Sequence, residues 1–303
     1  MDIRNLNYRA GWLVADYLNE RPRAISSELL ASVLPEGADA ATEQFVYAAL
    51  LEGFLGLDPS ASAEDRCIVE QYLRPGLVRL DPAVWRANPY YRTIRIEAAV
   101  CGDWELAWQH YAPYELFLRD DLILTDDLRQ IPALGYFPEA FSYPSVLQEG
   151  REWMSIKPSE IASSQAAVDR AFGRVVTFGL GLGYFAFMAV RKASVVSVTV
   201  VERDPAVIRL FNEHILPQIP ERGKISVIEA DAFDYLDNGM RPADVDFVFM
   251  DIWHDIADGT DLYLRAKPYE AHFPRTRFSY WIERSLRCAL IDRLEQLARP
   301  AGL

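Results

Sequence analysis

Between residues 173 and 251 the sequence alternates repeatedly between two periods, and this restricts the fold more than any other feature. RVVTF (174–178), SVVSVTVVE (194–202), KISVIEA (224–230) and DVDFVFMD (244–251) are short runs rich in β-branched and apolar residues. Between them, GYFAFMAVRK, DPAVIRLFNEHIL and DAFDYLDN place apolar residues at helical spacing. Near-continuous apolar strands are covered on both faces, and strands alternating with helices build βαβ units. The expectation is therefore an α/β domain with a doubly wound parallel sheet. After Asp251 the segments GTDLYLRAKPYEAHF and RFSYWIERSLRCALIDRLEQLA both read as helix, so the sheet is expected to be shortened at its C-terminal strands.

Upstream the pattern differs. LNYRAGWLVADYL (6–18), ATEQFVYAALLEGFLG (41–56) and AEDRCIVEQYLRPGL (63–77) have helical periodicity, separated by turn signals at Pro22, Pro35-Glu36-Gly37 and Asp58-Pro59-Ser60. TIRIEAAVCGDWELAWQHY (93–111) is read as further helix. Residues 113–156, with Pro132, Pro138 and Pro144 among aromatics, read as short strands and turns. The chain thus divides in three: a mostly helical N-terminal domain over 1–112, a strand- and turn-rich connection over 113–156, and the α/β domain over 157–303.

Charge and cysteine content narrow the function. Forty-four acidic residues against 31 basic give a net charge of −13, and no Lys/Arg cluster offers a polyanion a basic face, so no nucleic-acid partner is expected. Three scattered cysteines, Cys67, Cys101 and Cys288, indicate neither a disulfide framework nor a metal clip. The first twenty residues carry Asp2, Arg4, Arg9, Asp16 and Glu20, which argues against a signal peptide. No uncharged run reaches the roughly 20 residues of a membrane span. The expectation is a cytoplasmic protein acting on a small molecule, without a membrane partner. A homodimer is one way to cover an open sheet edge.

The residues at the end of each strand suggest the ligand. VVTFGLGLGYFAFMAV (175–190) puts Gly179, Gly181 and Gly183 in a strand-to-helix turn, where a missing Cβ lets backbone approach a ligand closely. A dinucleotide loop has G-x-G-x-x-G; here the sixth position is Tyr184 and the third glycine comes at the fifth. Glu202 ends the next strand, 23 residues beyond Gly179, where a carboxylate can accept from two vicinal ribose hydroxyls. Asp231 and Asp251 end the third and fourth strands. Acids crowding one pocket repel a pyrophosphate and suit a cation that carries adenosine.

TFGLGLG, VVERDP, EADAFDYL and DFVFMDIW resemble motif I and its successors in class I S-adenosylmethionine-dependent methyltransferases, in that family's order and spacing over roughly residues 157–256. The resemblance implies S-adenosylmethionine as cofactor. Gly179, Gly181 and Gly183 would lie along its methionine part, Glu202 on the ribose, Asp231 on the adenine amino group, and Ala232 and Phe233 against the ring. Asp251 would sit near the reacting centre.

Catalytic candidates lie in MDIWHDIADGTD (250–261): Asp251, His254 and Asp255, with Trp253 as a wall able to stabilise a cation. The expected reaction is methyl transfer to a small neutral or cationic acceptor. N-P-P-Y, used by many amino-group methyltransferases, is absent. Aminopropyltransferases such as spermidine synthase share the fold and an acidic pair after the fourth strand, so aminopropyl transfer from the decarboxylated cofactor is an alternative. A cofactor-fold protein serving as a non-catalytic binding or scaffold module is another.

Overall fold

The computed structural model describes residues 2–298, with side chains to residue 294. The chain forms two compact units, each assembled from two separated stretches: the chain to Trp85 with His110–Ser142, and Arg86–Gln109 with the chain from Tyr143 onward.

In the first unit the helices Ile3–Glu20, Ser27–Val33, Ala40–Phe54 and Ala63–Ile68 each start at an Asp or Ser whose side chain accepts from a backbone N–H of the first turn. Such caps satisfy donors that have no intrahelical partner. Leu6, Ala10, Val14 and Tyr17 recur at helical spacing and bury one face of the first helix. Helices are not its whole framework. Leu77–Arg79 pairs in parallel with Leu134–Tyr136, which pairs antiparallel with Phe117–Leu118. Tyr47 stacks on Tyr136 with ring centroids 3.9 Å apart, joining helix to sheet.

The second unit holds the predicted sheet. Its strands are β1 (Gly173–Phe178), β2 (Val195–Glu202), β3 (Ile225–Glu229), β4 (Phe247–Met250) and β5 (Arg277–Tyr280), in spatial order β3-β2-β1-β4-β5 and all parallel. The central strands are the apolar ones: Val175 to Phe178 and Phe247 to Met250 are all buried. The unit's helices include α1 (Pro158–Arg170), α2 (Tyr184–Val190), α3 (Pro205–Leu210), α4 (Ile256–Ala266) and α5 (Glu283–Ala298). Six of the seven residues of α2 are buried, as expected of a helix packed into a core.

Two expectations need correction. Residues 99–111 are not helix: Ala99–Cys101 and Trp104–Tyr111 form a hairpin, with Cys101 opposite Trp104 and Gly102 at φ +60° in its turn. The segment RFSY, read as helix, is β5, with Tyr280 in register with Met250. A second hairpin, Phe141–Gln148 with Arg151–Ser155, turns at Glu149 and Gly150, and its Glu149 N–H donates to the Asp103 carbonyl of the first. Among the described residues no helix is long and apolar enough to cross a membrane.

Candidate functional site

Strand order reverses between β1 and β4, and open parallel sheets bind ligands outside their carboxyl ends at such a switch point. A cavity of about 470 Å³ lies there, within the roughly 300–1,000 Å³ usual for small-molecule sites. Its floor comes from the turns after four strands: Gly179 to Gly181, Glu202 to Asp204, Ala230 to Phe233, and Asp251 to His254. The second hairpin and the start of α1 supply the opposite wall.

The three glycines share a left-handed backbone, φ +91°, +48° and +69°, but not a surrounding. A Cβ on Gly179 would run into the Asp251 carbonyl, so this glycine lets the turns after β1 and β4 meet. On Gly181 a Cβ would stand 3.0 Å from Met154 Sδ, beside the cavity. Gly183 faces Phe211 and is not among the lining residues. It caps α2 and admits a core ring.

Glu202 ties the loop together. Its Oε2 accepts from Leu180 N at 3.1 Å, and its Oε1 from Arg203 N and Asp204 N at 2.7 and 2.9 Å. An ionised carboxylate offers about four lone-pair sites, so one is left for a ligand hydroxyl. Asp231 caps its turn, with Oδ1 accepting from Phe233 N at 2.8 Å and Asp234 N at 3.2 Å. Ala232 and Phe233 are buried beside it, and the Arg265 guanidinium lies 3.6 Å from the Phe233 ring centroid. At that distance the guanidinium covers one face of the Phe233 ring.

After β4, Asp251, Trp253 and His254 line the cavity; Asp255 does not. Asp255 caps α4, accepting from Ala257 N and Asp258 N, while Asp258 accepts in return from the N–H groups of His254 and Asp255. This is a reciprocal capping box, and its work is to shape the loop. His254 stacks on Trp153 at 5.3 Å, and its Nδ1 lies 3.2 Å from the Trp153 carbonyl. A carbonyl only accepts, so Nδ1 carries the hydrogen that bridges to it, and Nε2 is the ring nitrogen left to face a ligand.

The cavity holds groups that linear reading passes over. Trp104, Trp153, Trp253 and Trp281 border it. Trp104 Nε1 donates to Asp204 and Trp281 Nε1 to Ser163, each at 2.8 Å. The indole N–H of Trp253 is buried with no partner among the described residues. Lys157 pairs with Glu152. Glu160 enters from the first turn of α1. Burial, followed by the neighbouring Asp251 charge, pushes its carboxyl up to about 8, and burial pushes Asp251 up to about 7. The lining carries six carboxylates (Glu152, Glu160, Glu202, Asp204, Asp231, Asp251) against three fixed cations (Lys157, Arg203, Arg265). With Glu160 and Asp251 keeping part of their protons near neutral pH, the surplus of negative charge is small, and with the aromatic lining it favours a cation over a phosphate.

No protein-family model matches the chain, and no curated protein does. Among solved structures, a provisionally assigned O-methyltransferase from Klebsiella pneumoniae is similar over 34% of this chain and 46% of its own, at 21% identity and a TM-score of 0.27. Spermidine synthase from Thermotoga maritima is similar over 45% of this chain and 49% of its own, at 14% identity and a TM-score of 0.34. Each match spans about half of the known structure. Likeness of that degree says nothing about activity.

Proposed function

We propose that this cavity binds S-adenosylmethionine and that the chain transfers its methyl group to a small neutral or cationic acceptor. The observation that carries this reading is the coincidence, at the switch point, of a hydroxyl-accepting carboxylate, the apolar Ala232–Phe233 turn and a net negative, tryptophan-lined chamber. An adenosine that bears a positive charge meets all three. Glu202 accepts from one ribose hydroxyl, Asp231 takes the adenine amino group through its remaining oxygen, and Ala232 and Phe233 lie against the ring. The backbone at Gly179 and Gly181 runs beside the methionine part. The unpartnered Trp253 N–H fits a site completed by a ligand acceptor. When bound, the sulfonium supplies a methyl group that is already activated. The protein's share is alignment, which can contribute roughly 7–11 kcal/mol, and His254 Nε2 or Asp251 can take a proton where the acceptor must lose one.

Aminopropyl transfer is a second reading. It is favoured by Glu152, Glu160 and Asp251 facing the cavity, since a polyamine needs several carboxylates, and by the strand hairpin that walls it. Binding by Glu202 variants tests the shared core of both readings. Glu202→Ala should lose about 1.5–3 kcal/mol of cofactor affinity, the scale of a hydrogen bond to a charged group, and Glu202→Gln should lose less. Unchanged affinity in Glu202→Ala, measured by calorimetry, contradicts the assignment.

A further inference from the structure

The first helix of the chain, Ile3–Glu20, packs with one side only. Leu6, Ala10, Val14 and Tyr17 turn that side into the core of the first unit. The opposite side carries Tyr8 and Trp12, one turn apart and 77% and 59% exposed. Single exposed apolar residues are ordinary, but two aromatic rings stacked along one helix face form a contact surface.

The row that contains them is ordered by charge. Arg4, Tyr8, Trp12, Asp16 and Glu20 follow at four-residue spacing and make one i±4 ridge. The cation stands at one end, the acids at the other, and Trp12 at the midpoint. This polarity runs against the dipole of the helix. Its first turn holds no acid and its last turn no base, the reverse of what stabilises a helix by itself. Within the chain Arg4 lies 3.5 Å from Asp2 and Asp16 lies 3.9 Å from Arg21, and exposed pairs of that kind hold weakly. A row that is positive, then aromatic, then negative is complementary to itself reversed.

We infer that two copies of the chain associate through this helix, antiparallel about a two-fold axis at Trp12. The two indoles meet at the axis. The Tyr8 hydroxyl donates to Asp16 of the second copy, and Arg4 pairs with Glu20 of the second copy. Symmetry makes each of these polar contacts occur twice. Interlocking i±4 ridges cross at about −50°, and the two opposed helix dipoles attract. At 1.5 Å per residue the 18-residue helix is about 27 Å long. One such helix pair is smaller than a standard permanent interface, so the dimer is one that dissociates on dilution. The surface lies wholly in the first unit and depends on neither reading of the cavity.

Sedimentation velocity on the purified chain, from about 1 μM to about 500 μM, reads the association. The expected result is a reversible monomer–dimer equilibrium. Trp12→Ala should weaken it by about tenfold or more, the scale of a central aromatic anchor. Charge reversal distinguishes pairing from mere adhesion. Arg4→Glu and Glu20→Arg each set like charges together at both ends of the contact, and each should weaken the dimer. Both changes suit the helix dipole, so a lost dimer is not a lost helix, which circular dichroism checks. Mixing the two variants restores opposite charges at both ends, and the mixture should form a heterodimer at concentrations where each variant alone is monomeric. Three results overturn the pairing: a monomer at every concentration, a dimer that Trp12→Ala leaves intact, or a mixture no more associated than its components. A monomeric chain that binds phosphatidylcholine vesicles through Trp12 would assign the face to a lipid surface and overturn the pairing as well.

Discussion

Residues that look equivalent in the sequence do different work in the fold, and the glycine turn shows it most clearly. Gly179, Gly181 and Gly183 have equal spacing, yet one admits a carbonyl, one borders the cavity beside Met154 and one accommodates Phe211. Their replacement should therefore have different consequences. Gly183→Ala forces a Cβ into a core ring at φ +69° and should cost about 1–3 kcal/mol of stability, with cofactor affinity in the folded fraction unchanged. Gly181→Val, also at a left-handed φ of +48°, should lose stability as well, but in addition its folded fraction should bind the cofactor much more weakly. Thermal melts paired with binding titrations separate the two; equal effects of both variants on affinity would contradict the assignment of Gly183 to the core. Glu202 and Asp231 are legible in the sequence because strand ends announce themselves by an acid after an apolar run. Glu160 is not. Nothing in KPSEIAS shows that α1 aims its first turn at the ends of strands that lie later in the chain.

At the scale of elements, four strands are readable because each is an apolar run bounded by helix-forming sequence. The fifth is hidden by its brevity. Arg277–Tyr280 is four residues long, lies between a 3₁₀ turn (Lys267–Ala271) and α5, and owes its strand conformation to pairing with β4. The hairpin at 99–111 escapes the pattern for a different reason. WELAWQHY satisfies both periods, and only its buried Trp104 and Leu106 and the left-handed Gly102 disclose the alternation. The same distinction between pattern and surroundings reassigns Asp255. As the cap of α4 it should behave as caps do: Asp255→Ala is expected to lower stability by about 1 kcal/mol, read as a shifted denaturant midpoint, while cofactor affinity stays within about threefold. A large loss of affinity with no loss of stability would return Asp255 to the binding site.

For the molecule as a whole, the acidic balance and the acidic cavity make stability depend on pH in a direction that can be stated. Glu160 and Asp251 hold protons more tightly in the folded state, at about 8 and about 7, than the roughly 4 of an unfolded carboxyl. Between those limits the folded protein binds more protons than the unfolded one, so these groups lower stability as pH rises through the window. Below about pH 4 both states are protonated and the effect is absent; above about pH 8 it is complete. Asp251→Asn and Glu160→Gln, which cannot ionise, should therefore raise the melting temperature near pH 9 and leave it nearly unchanged near pH 4, as differential scanning calorimetry can record. A lowered melting temperature near pH 9 would mean instead that the two carboxyls ionise in the folded protein well below neutrality and stabilise it there. The partition into two units, each drawn from two distant stretches, belongs to this scale as well, since no local pattern marks where a chain leaves one core and later returns to it. The central claim, that the switch-point cavity is built for an adenosine-bearing cation, is tested most directly by titrating the purified chain with S-adenosylmethionine, S-adenosylhomocysteine and decarboxylated S-adenosylmethionine in a calorimeter. The account predicts saturable one-site binding, tighter for the carboxylated ligands under methyl transfer and tighter for the decarboxylated one under aminopropyl transfer; heats no larger than dilution for all three would contradict it.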